Sequence, residues 1–373
     1  MFGFMQIKLI PKILISIFLI GILALLLSCN SPMVSIPQGT ELGKEYPDPN
    51  EEKIAKRILD LTLKSVESNQ ESNGNTLRDA HPKSHGCVAG TFAVENSIPG
   101  SMKFGIFAKP KSYPIWIRFS NGSAKPKADK EGDIRGMAIK LMNVEGTKLL
   151  EDEKNEKTQD FLLISNPILP VGDPQEYLEL FEAAFENRLT SYIFLGGRFG
   201  ALKRVNAIRK LQVPSPLAIR YWSTTPFKLG GLAVKYSAKP CSDVQTTMPN
   251  TESPNYLRER MVQDLSEKSS CFDFMVQPQT DPIEMPVEEP AKEWNEKESP
   301  FVKVGTIQIQ KQIFDTKEQN EFCENISFTP WHSLPDHRPL GGINRVRKSV
   351  YIGISKFRHE KNKIPRKEPT PKK

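Results

Sequence analysis

Between positions 90 and 165 the chain is a succession of short strand-like segments: GTFAVE, MKFGIFA, YPIWIRFS, RGMAIKLMNVEG and DFLLIS. They are rich in β-branched and aromatic residues and are broken by Gly, Pro and Asn, as an antiparallel sheet or barrel requires. Further on, RYWSTTPFKLGGLAVKYSAKP reads as another strand pair, and VGTIQIQKQIF alternates cleanly. Helical periodicity is confined to a few places. EEKIAKRILDLTLKSVE repeats its apolar residues through Ile54, Ile58, Leu61 and Leu63, and QEYLELFEAAFENRL forms a second helix. The order is strands first and helices later. The expected class is therefore α+β, with an antiparallel sheet closed into a barrel core and helices around it. There is no internal repeat and no Gly-rich phosphate loop.

One further helix is expected over residues 344–360, NRVRKSVYIGISKFRHE, and its composition is unusual. Ile343, Val346, Val350, Ile354 and Phe357 recur at three and four, giving one apolar face. At about 100° per residue, Arg347, Tyr351 and Arg358 fall within roughly 40° of one another, beside that face. Such a stripe is ordinarily a snorkelling, solvated surface. The other reading is chemical: cations one turn from a tyrosine favour phenolate over phenol, and tyrosinate is an axial ligand of haem iron.

The start of the chain concerns its destination. Lys8 and Lys12 precede an unbroken apolar run, ILISIFLIGILALLL, at residues 13–27. That length suits a signal-peptide core better than a spanning helix, which needs about 20 residues. LLSC ahead of the polar NSP resembles a bacterial lipobox, which implies cleavage before Cys29 and lipid on that cysteine. The alternative is an uncleaved membrane anchor. Both readings put the remainder outside the cytoplasmic membrane, in the cell envelope. Cleavage would leave 345 of 373 residues (373 − 28), and the loss of two lysines would lower the formal charge from +7 to +5. So weak a bias argues for no nucleic-acid partner. Four cysteines would remain, Cys87, Cys241, Cys271 and Cys323, without a CxxC pair. They form no disulfide framework; Cys241 with Cys271 is the pair to test.

Residues 77–92, LRDAHPKSHGCVAGTF, bring His81, His85 and Cys87 together. The H-x3-H spacing of a helical zinc site is present, but Pro82 and Gly86 break any helix there. The arrangement instead resembles the distal segment of the haem catalases, R-x-x-H-x-K in Arg78–Lys83, followed by Gly90, Phe92 and Val94. WIRFSNG (116–122) is similar to the catalase strand that carries Arg-Phe-Ser. GDIRGMAIKL (132–141) is similar to its Asp-x-Arg-Gly-x-Ala-x-Lys run. Arg347, Tyr351 and Arg358 reproduce the spacing of the catalase proximal helix. RYWSTTPF and WHSLPDHRPLGGINR look most like short bacterial catalase-like proteins.

This resemblance implies a haem b site. Tyr351 would be the axial ligand, kept ionised by Arg347. His81 would be the distal general acid–base and Ser120 its hydrogen-bond partner. Arg78, Arg118 and Arg358 would hold the haem propionates, because guanidinium pairs bidentately with carboxylate. The distal asparagine of catalases is harder to find. Counting from Asp160 and from Pro167, both routes arrive at Ile164. Asn166 stands two residues later and is the candidate if the chain is irregular before Pro167; otherwise it is a turn asparagine. Ile168 and Leu169 replace the aromatic residues that usually follow that proline. His85, His332 and His337 are read as structural.

The expected layout is a lipoprotein signal peptide over 1–28, a tether over 29–50, a catalase-like haem domain over 51–360 and a basic disordered tail over 361–373. The expected function is decomposition of hydrogen peroxide by catalase or peroxidase chemistry, with a membrane tether at Cys29 and possible oligomers. Two rivals stand beside it. One is an organic (fatty-acid) hydroperoxide isomerase or lyase of the allene-oxide-synthase type; the other is a non-catalytic haem-binding surface lipoprotein.

Overall fold

The computed structural model describes residues 41–68, 75–196, 198–242, 247–250 and 253–371. The expected signal segment and Cys29 lie outside the described residues. Among the described residues, no helix is long and apolar enough to cross a membrane.

Nine described strands form one antiparallel sheet: β1 (Ser84–Val94), β2 (Ser112–Asn121), β3 (Arg135–Met142), β4 (Thr158–Ile164), β5 (Tyr221–Trp222), β6 (Phe227–Leu229), β7 (Leu232–Pro240), β8 (Ser270–Pro278) and β9 (Val302–Ile309). Their order is β1-β2-β3-β4-β5, then β7-β8-β9, and β9 returns to pair with β1. Eight strands therefore close into a barrel, which leaves no open edge. β6 hangs on β7 as a hairpin through Gly230, whose φ of +57° is the left-handed conformation such a turn needs.

Alternation along the strands sorts residues between the two faces. Ile115, Ile117 and Phe119 of β2, Met137, Ile139 and Leu141 of β3, and Phe161 and Leu163 of β4 join the buried interior. They pack there with Phe92, Phe272, Phe274 and Tyr236. The opposite residues form cross-strand rows on the outer face: Ser120–Gly136–Ile164, Arg118–Ala138–Leu162 and Trp116–Lys140–Asp160. The charges on this covered face find partners there: Lys140 pairs with Asp160 at 2.7 Å, and Arg118 Nη2 donates to the His81 carbonyl at 2.8 Å.

The helices are α1 (Glu51–Ser68), α2 (Pro174–Phe185), α3 (Leu189–Leu195), α4 (Phe199–Arg209), α5 (Tyr256–Glu267), α6 (Lys317–Asn325) and α7 (Gly342–Asn362). α7 carries the expected stripe. Its Val346, Val350 and Ile354 pack on Ile54, Ile58 and Leu61 of α1 and on Leu178 of α2. Gly353 permits this approach, since a Cβ there would lie 2.7 Å from a Leu59 methyl.

Three expectations change. MKFGIFA is not a strand but two 3₁₀ turns, Gly100–Met102 and Gly105–Phe107. Gly105 has φ +55°, and a Cβ there would meet His337 Nε2 at 2.3 Å. That buried imidazole accepts from the Ile106 N–H (3.0 Å) and bonds Tyr236 through Nδ1 (3.0 Å). Burial pushes His337 down to about 3, so it is neutral and structural. Next, the strand expected to start at Gly90 begins at Ser84 and includes His85, which bonds Asn121 Oδ1 at 2.8 Å.

The third change is the tail. Residues 363–371 do not stand free. Glu368 reaches the fully buried Lys140 at 2.8 Å, Arg366 pairs with Glu153, and the Thr370 carbonyl accepts from the Trp116 indole at 3.3 Å. Burial opposes a charge on Glu368, but Lys140 and His332 together hold it down to about 2. Sulfur completes the framework with two disulfides, Cys241–Cys271 and Cys87–Cys323.

Candidate active site

The outer face of β2–β3–β4, capped by α7, encloses a cavity of about 390 Å³, within the range of small-molecule and cofactor sites. Arg78, His81, Arg118, Ser120, Arg347, Tyr351 and Arg358 all line it. Residues 270 or more positions apart in sequence are thus brought to one space by the barrel and its covering helix.

His81 precedes β1 in a left-handed conformation, φ +59°. That is uncommon for any residue but glycine, and such strain persists where the surroundings fix it. The fixing contacts are visible. The His81 N–H donates to the Gly122 carbonyl at 3.4 Å, and its own carbonyl accepts from Arg118 Nη2 at 2.8 Å. The ring lies on Gly136, where a Cβ would fall 2.5 Å from Nδ1. Nδ1 is engaged by Ser120 Oγ at 3.0 Å, which leaves Nε2 for another partner. Burial, and next the Arg118 guanidinium, push His81 down to about 4, so the ring is neutral at physiological pH. A neutral imidazole with one nitrogen occupied is a ready proton acceptor.

On α7, Arg347 Nη2 donates to the Tyr351 hydroxyl oxygen at 3.1 Å, and the guanidinium lies 5.3 Å from the Tyr351 ring centroid. Arg347 is itself held by Asn344 Oδ1 at 3.2 Å. Asn344 is fully buried and anchored by its amide to the carbonyls of Pro226 (2.9 Å) and Leu340 (3.0 Å).

The third part is a cluster of cations. Arg78 Nη2 donates to the carbonyls of Glu324 (2.8 Å) and Ile326 (2.6 Å), and Arg358 Nη2 also donates to the Glu324 carbonyl (2.6 Å). The Glu324 carboxylate lies 3.7 Å from Arg78 and 3.6 Å from Arg358. Arg118 completes the group. The three guanidinium groups share this space with the Glu324 carboxylate and with Asp79, whose carboxyl burial pushes up, and Nε of Arg78, Arg118 and Arg358 are all buried without a hydrogen-bond partner. Burial, then repulsion from Arg78, lowers Arg118 to about 9 and Arg358 to about 10. Crowded guanidinium groups with three orphaned donors are costly unless an anion completes them. Haem b, with two carboxylates, an iron seeking an oxygen donor and apolar faces, fits this donor set and these walls.

Asn166 is not brought to the cavity. β4 ends at Ile164, which sits opposite Gly136 and lines the space. Asn166 lies beyond the strand end, and its amide closes on the Ile168 carbonyl at 2.5 Å as a turn residue. No Asn or Gln is among the lining side chains. Reasoning from sequence missed three residues that hold the site together. Asn344 precedes Arg347 by three on the helix, so spacing was an available signal. Gly136 lay within a quoted motif but had no role assigned. Glu324 carries no local signal at all.

No protein-family model matches the chain, and no curated protein matches it. Solved structures do. A fungal catalase is similar over 87% of this chain and 66% of its own, with 17% identity and a TM-score of 0.63. Catalase A from Saccharomyces cerevisiae is similar over 87% and 68%, with 17% identity and a TM-score of 0.62. A bacterial catalase is similar over 88% and 64%, with 16% identity and a TM-score of 0.55. The chain thus spans about two thirds of the length of these catalases. The closed antiparallel barrel with its surrounding helices is the catalase fold.

Proposed function

We propose that this chain is a haem b oxidoreductase of catalase or peroxidase type, acting on hydrogen peroxide, with the Tyr351 oxygen as the ligand to iron. The observation that carries this reading is the trio of arginines with buried, orphaned Nε atoms, in one cavity with an arginine-held phenol and a neutral histidine. Bound haem would supply the iron that exchanges electrons with peroxide. Arg78, Arg118 and Arg358 would hold the two carboxylates, and Arg347 would keep the Tyr351 oxygen anionic. His81 would take a proton at Nε2 from one peroxide oxygen and return it to the other, with Nδ1 held by Ser120. A positioned base of this kind contributes roughly 10²–10⁴ in rate.

The test is an absorption titration of residues 30–373 with ferric haem, wild type against Tyr351→Phe, with oxygen release on adding hydrogen peroxide followed alongside. Expected are a high-spin ferric spectrum, altered in the variant, and oxygen from the wild type. A chain that takes up no haem sinks the reading.

A second reading is favoured by one observation. Ile164 lines the cavity with Leu162 and Leu169, and among the described residues no side-chain amide lines it to polarise a small peroxide. That wall suits an organic hydroperoxide, as in the allene-oxide-synthase type of isomerase or lyase. Consumption of a fatty-acid hydroperoxide without oxygen from hydrogen peroxide would move the assignment there. If His81→Ala changes neither turnover nor biological role, the chain is a haem-binding lipoprotein without catalysis. Tethering to the cell envelope through lipid on Cys29 is also proposed, supported by LLSC at residues 26–29. Mass spectrometry of the mature N-terminus tests it.

A further inference from the structure

We infer that the Cys87–Cys323 disulfide is the positioning element of the anion-binding arginines: it pins the short helix whose C-terminal backbone and Glu324 carboxylate orient Arg78 and Arg358. The inference rests on the haem reading above and goes beyond it, since it concerns what makes the cluster able to bind.

The dependence follows from how α6 is attached. α6 has nine residues, too few to be stable alone in water. Cys323 is its one fully buried residue, so apolar burial gives it little hold. Its other ties are non-covalent: Gln319 donates to the Cys87 carbonyl at 2.7 Å, Arg258 bridges Asn320 Oδ1 (3.1 Å) and the Ser84 carbonyl (2.9 Å), and the half-buried Phe322 meets the Trp116 ring at 4.6 Å. The disulfide joins it to barrel strand β1 across 236 residues, with the Cα atoms 5.5 Å apart.

What the helix end then does is specific. Arg78 Nη2 is received by three acceptors on this segment, the carbonyls of Cys323 (3.2 Å), Glu324 and Ile326. Arg358 shares the Glu324 carbonyl. The disulfide-bonded residue is thus itself an acceptor. With Nη2 of each arginine held by the segment, Nε of both is buried without a hydrogen-bond partner, that of Arg78 lying 3.7 Å from the Glu324 carboxylate. Without the pin, the segment is free to leave, and both arginines lose the contacts that select their orientation. The pair forms by exchange with a disulfide donor, which takes up the two protons and two electrons released by the thiols. Cofactor loading would therefore be confined to a compartment where thiols oxidise.

The experiment compares two porphyrins: ferric protoporphyrin IX, with free carboxylates, and its dimethyl ester, which has no charge for the arginines to hold. Affinities are measured by absorption titration for wild type and Cys87→Ser/Cys323→Ser, with Cys241→Ser/Cys271→Ser as the control. Wild type and control should prefer the diacid. In the Cys87/Cys323 variant the preference should fall by roughly tenfold or more, with ester affinity within about twofold of wild type. Hydrogen exchange of residues 317–327 should quicken while the barrel strands stay protected. Should that variant fail to fold, the same ratio is measured on wild type treated with a dithiol reductant, with free thiols counted and circular dichroism confirming the fold. An unchanged diacid preference after the bond is lost overturns the inference and leaves the haem reading intact. Wild type that binds both porphyrins equally overturns the role of the arginines, and wild type that binds neither overturns the haem reading itself; the inference falls with either.

Discussion

Gly136→Ala isolates the proposed base without touching it. A Cβ at position 136 would sit 2.5 Å from His81 Nδ1, 2.6 Å from Cε1 and 2.8 Å from Ser120 Oγ, where ordinary contact begins at 3.4 Å. The ring must therefore retreat by about 1 Å, and it cannot simply slide. Its backbone is held at φ +59° by bonds from its N–H to Gly122 and from Arg118 to its carbonyl. Overpacking of this kind costs roughly 1–3 kcal/mol of stability. A displacement of about 1 Å at a reacting group costs on the order of 10² in rate. The expected variant folds, takes up haem as the wild type does, and consumes peroxide about a hundredfold more slowly. Haem content by absorption and initial rates by stopped flow give the two numbers separately. His81→Ala and the double variant close the cycle. If Gly136 acts through His81, Gly136→Ala adds little once His81 is gone. A full wild-type rate in Gly136→Ala, or a further large loss in the double variant, would refute the reasoning.

Replacing Arg358 with Leu should leave the apo protein as stable as before, or more so, because it removes one of three buried like charges; haem affinity should nevertheless drop about tenfold. Equal loss of apo stability and affinity, by denaturant titration and absorption, would show the cluster to be merely structural. Truncation before Arg366 strips Lys140 of Glu368, leaving it only Asp160 at 2.7 Å; a loss of about 1–3 kcal/mol in urea is expected, and no loss would make the tail peripheral. Acid should destabilise the fold early. His81, His85 and His337 are held down to about 4, 3 and 3, largely by burial, so between those values and about 6.5 the unfolded chain binds protons that the native chain does not. Stability then falls as pH drops through that window, by about 1.4 kcal/mol per pH unit for each such proton. Denaturant midpoints from pH 7 to 4.5 that stay level would contradict the burial of these rings. Turnover governed by His81 should likewise show no inflection near pH 6.5.

The parts of the site legible in the sequence are those whose geometry is periodic. Arg347, Tyr351 and Arg358 share a helix face because of a local repeat, and Ser120 and Arg118 share a sheet face through period-two alternation. What could not be read was set by contacts between distant segments. The α6–β1 disulfide spans 236 residues, and four scattered cysteines do not name their partners. Glu324 is one of many acids on a polar helix until folding carries it between two arginines. MKFGIFA has the composition of a strand, but its Gly105 must pass under an imidazole that arrives from position 337. Asn166 shows the limit of counting: the register of β4 spends the needed position on Ile164 and ends before the asparagine. The basic tail reads as disordered because its charge carries no sign of the buried Lys140 that Glu368 satisfies.

The cavity walls at His81 and Tyr351 come from residues 270 positions apart (351 − 81), with nearly the whole barrel lying between them. Contacts that distant are slow to form, because the intervening chain must be ordered before they are rewarded. The two walls therefore meet only when every strand from β1 to β9 is in place, and a fragment that stops short of α7 lacks Arg347, Tyr351 and Arg358.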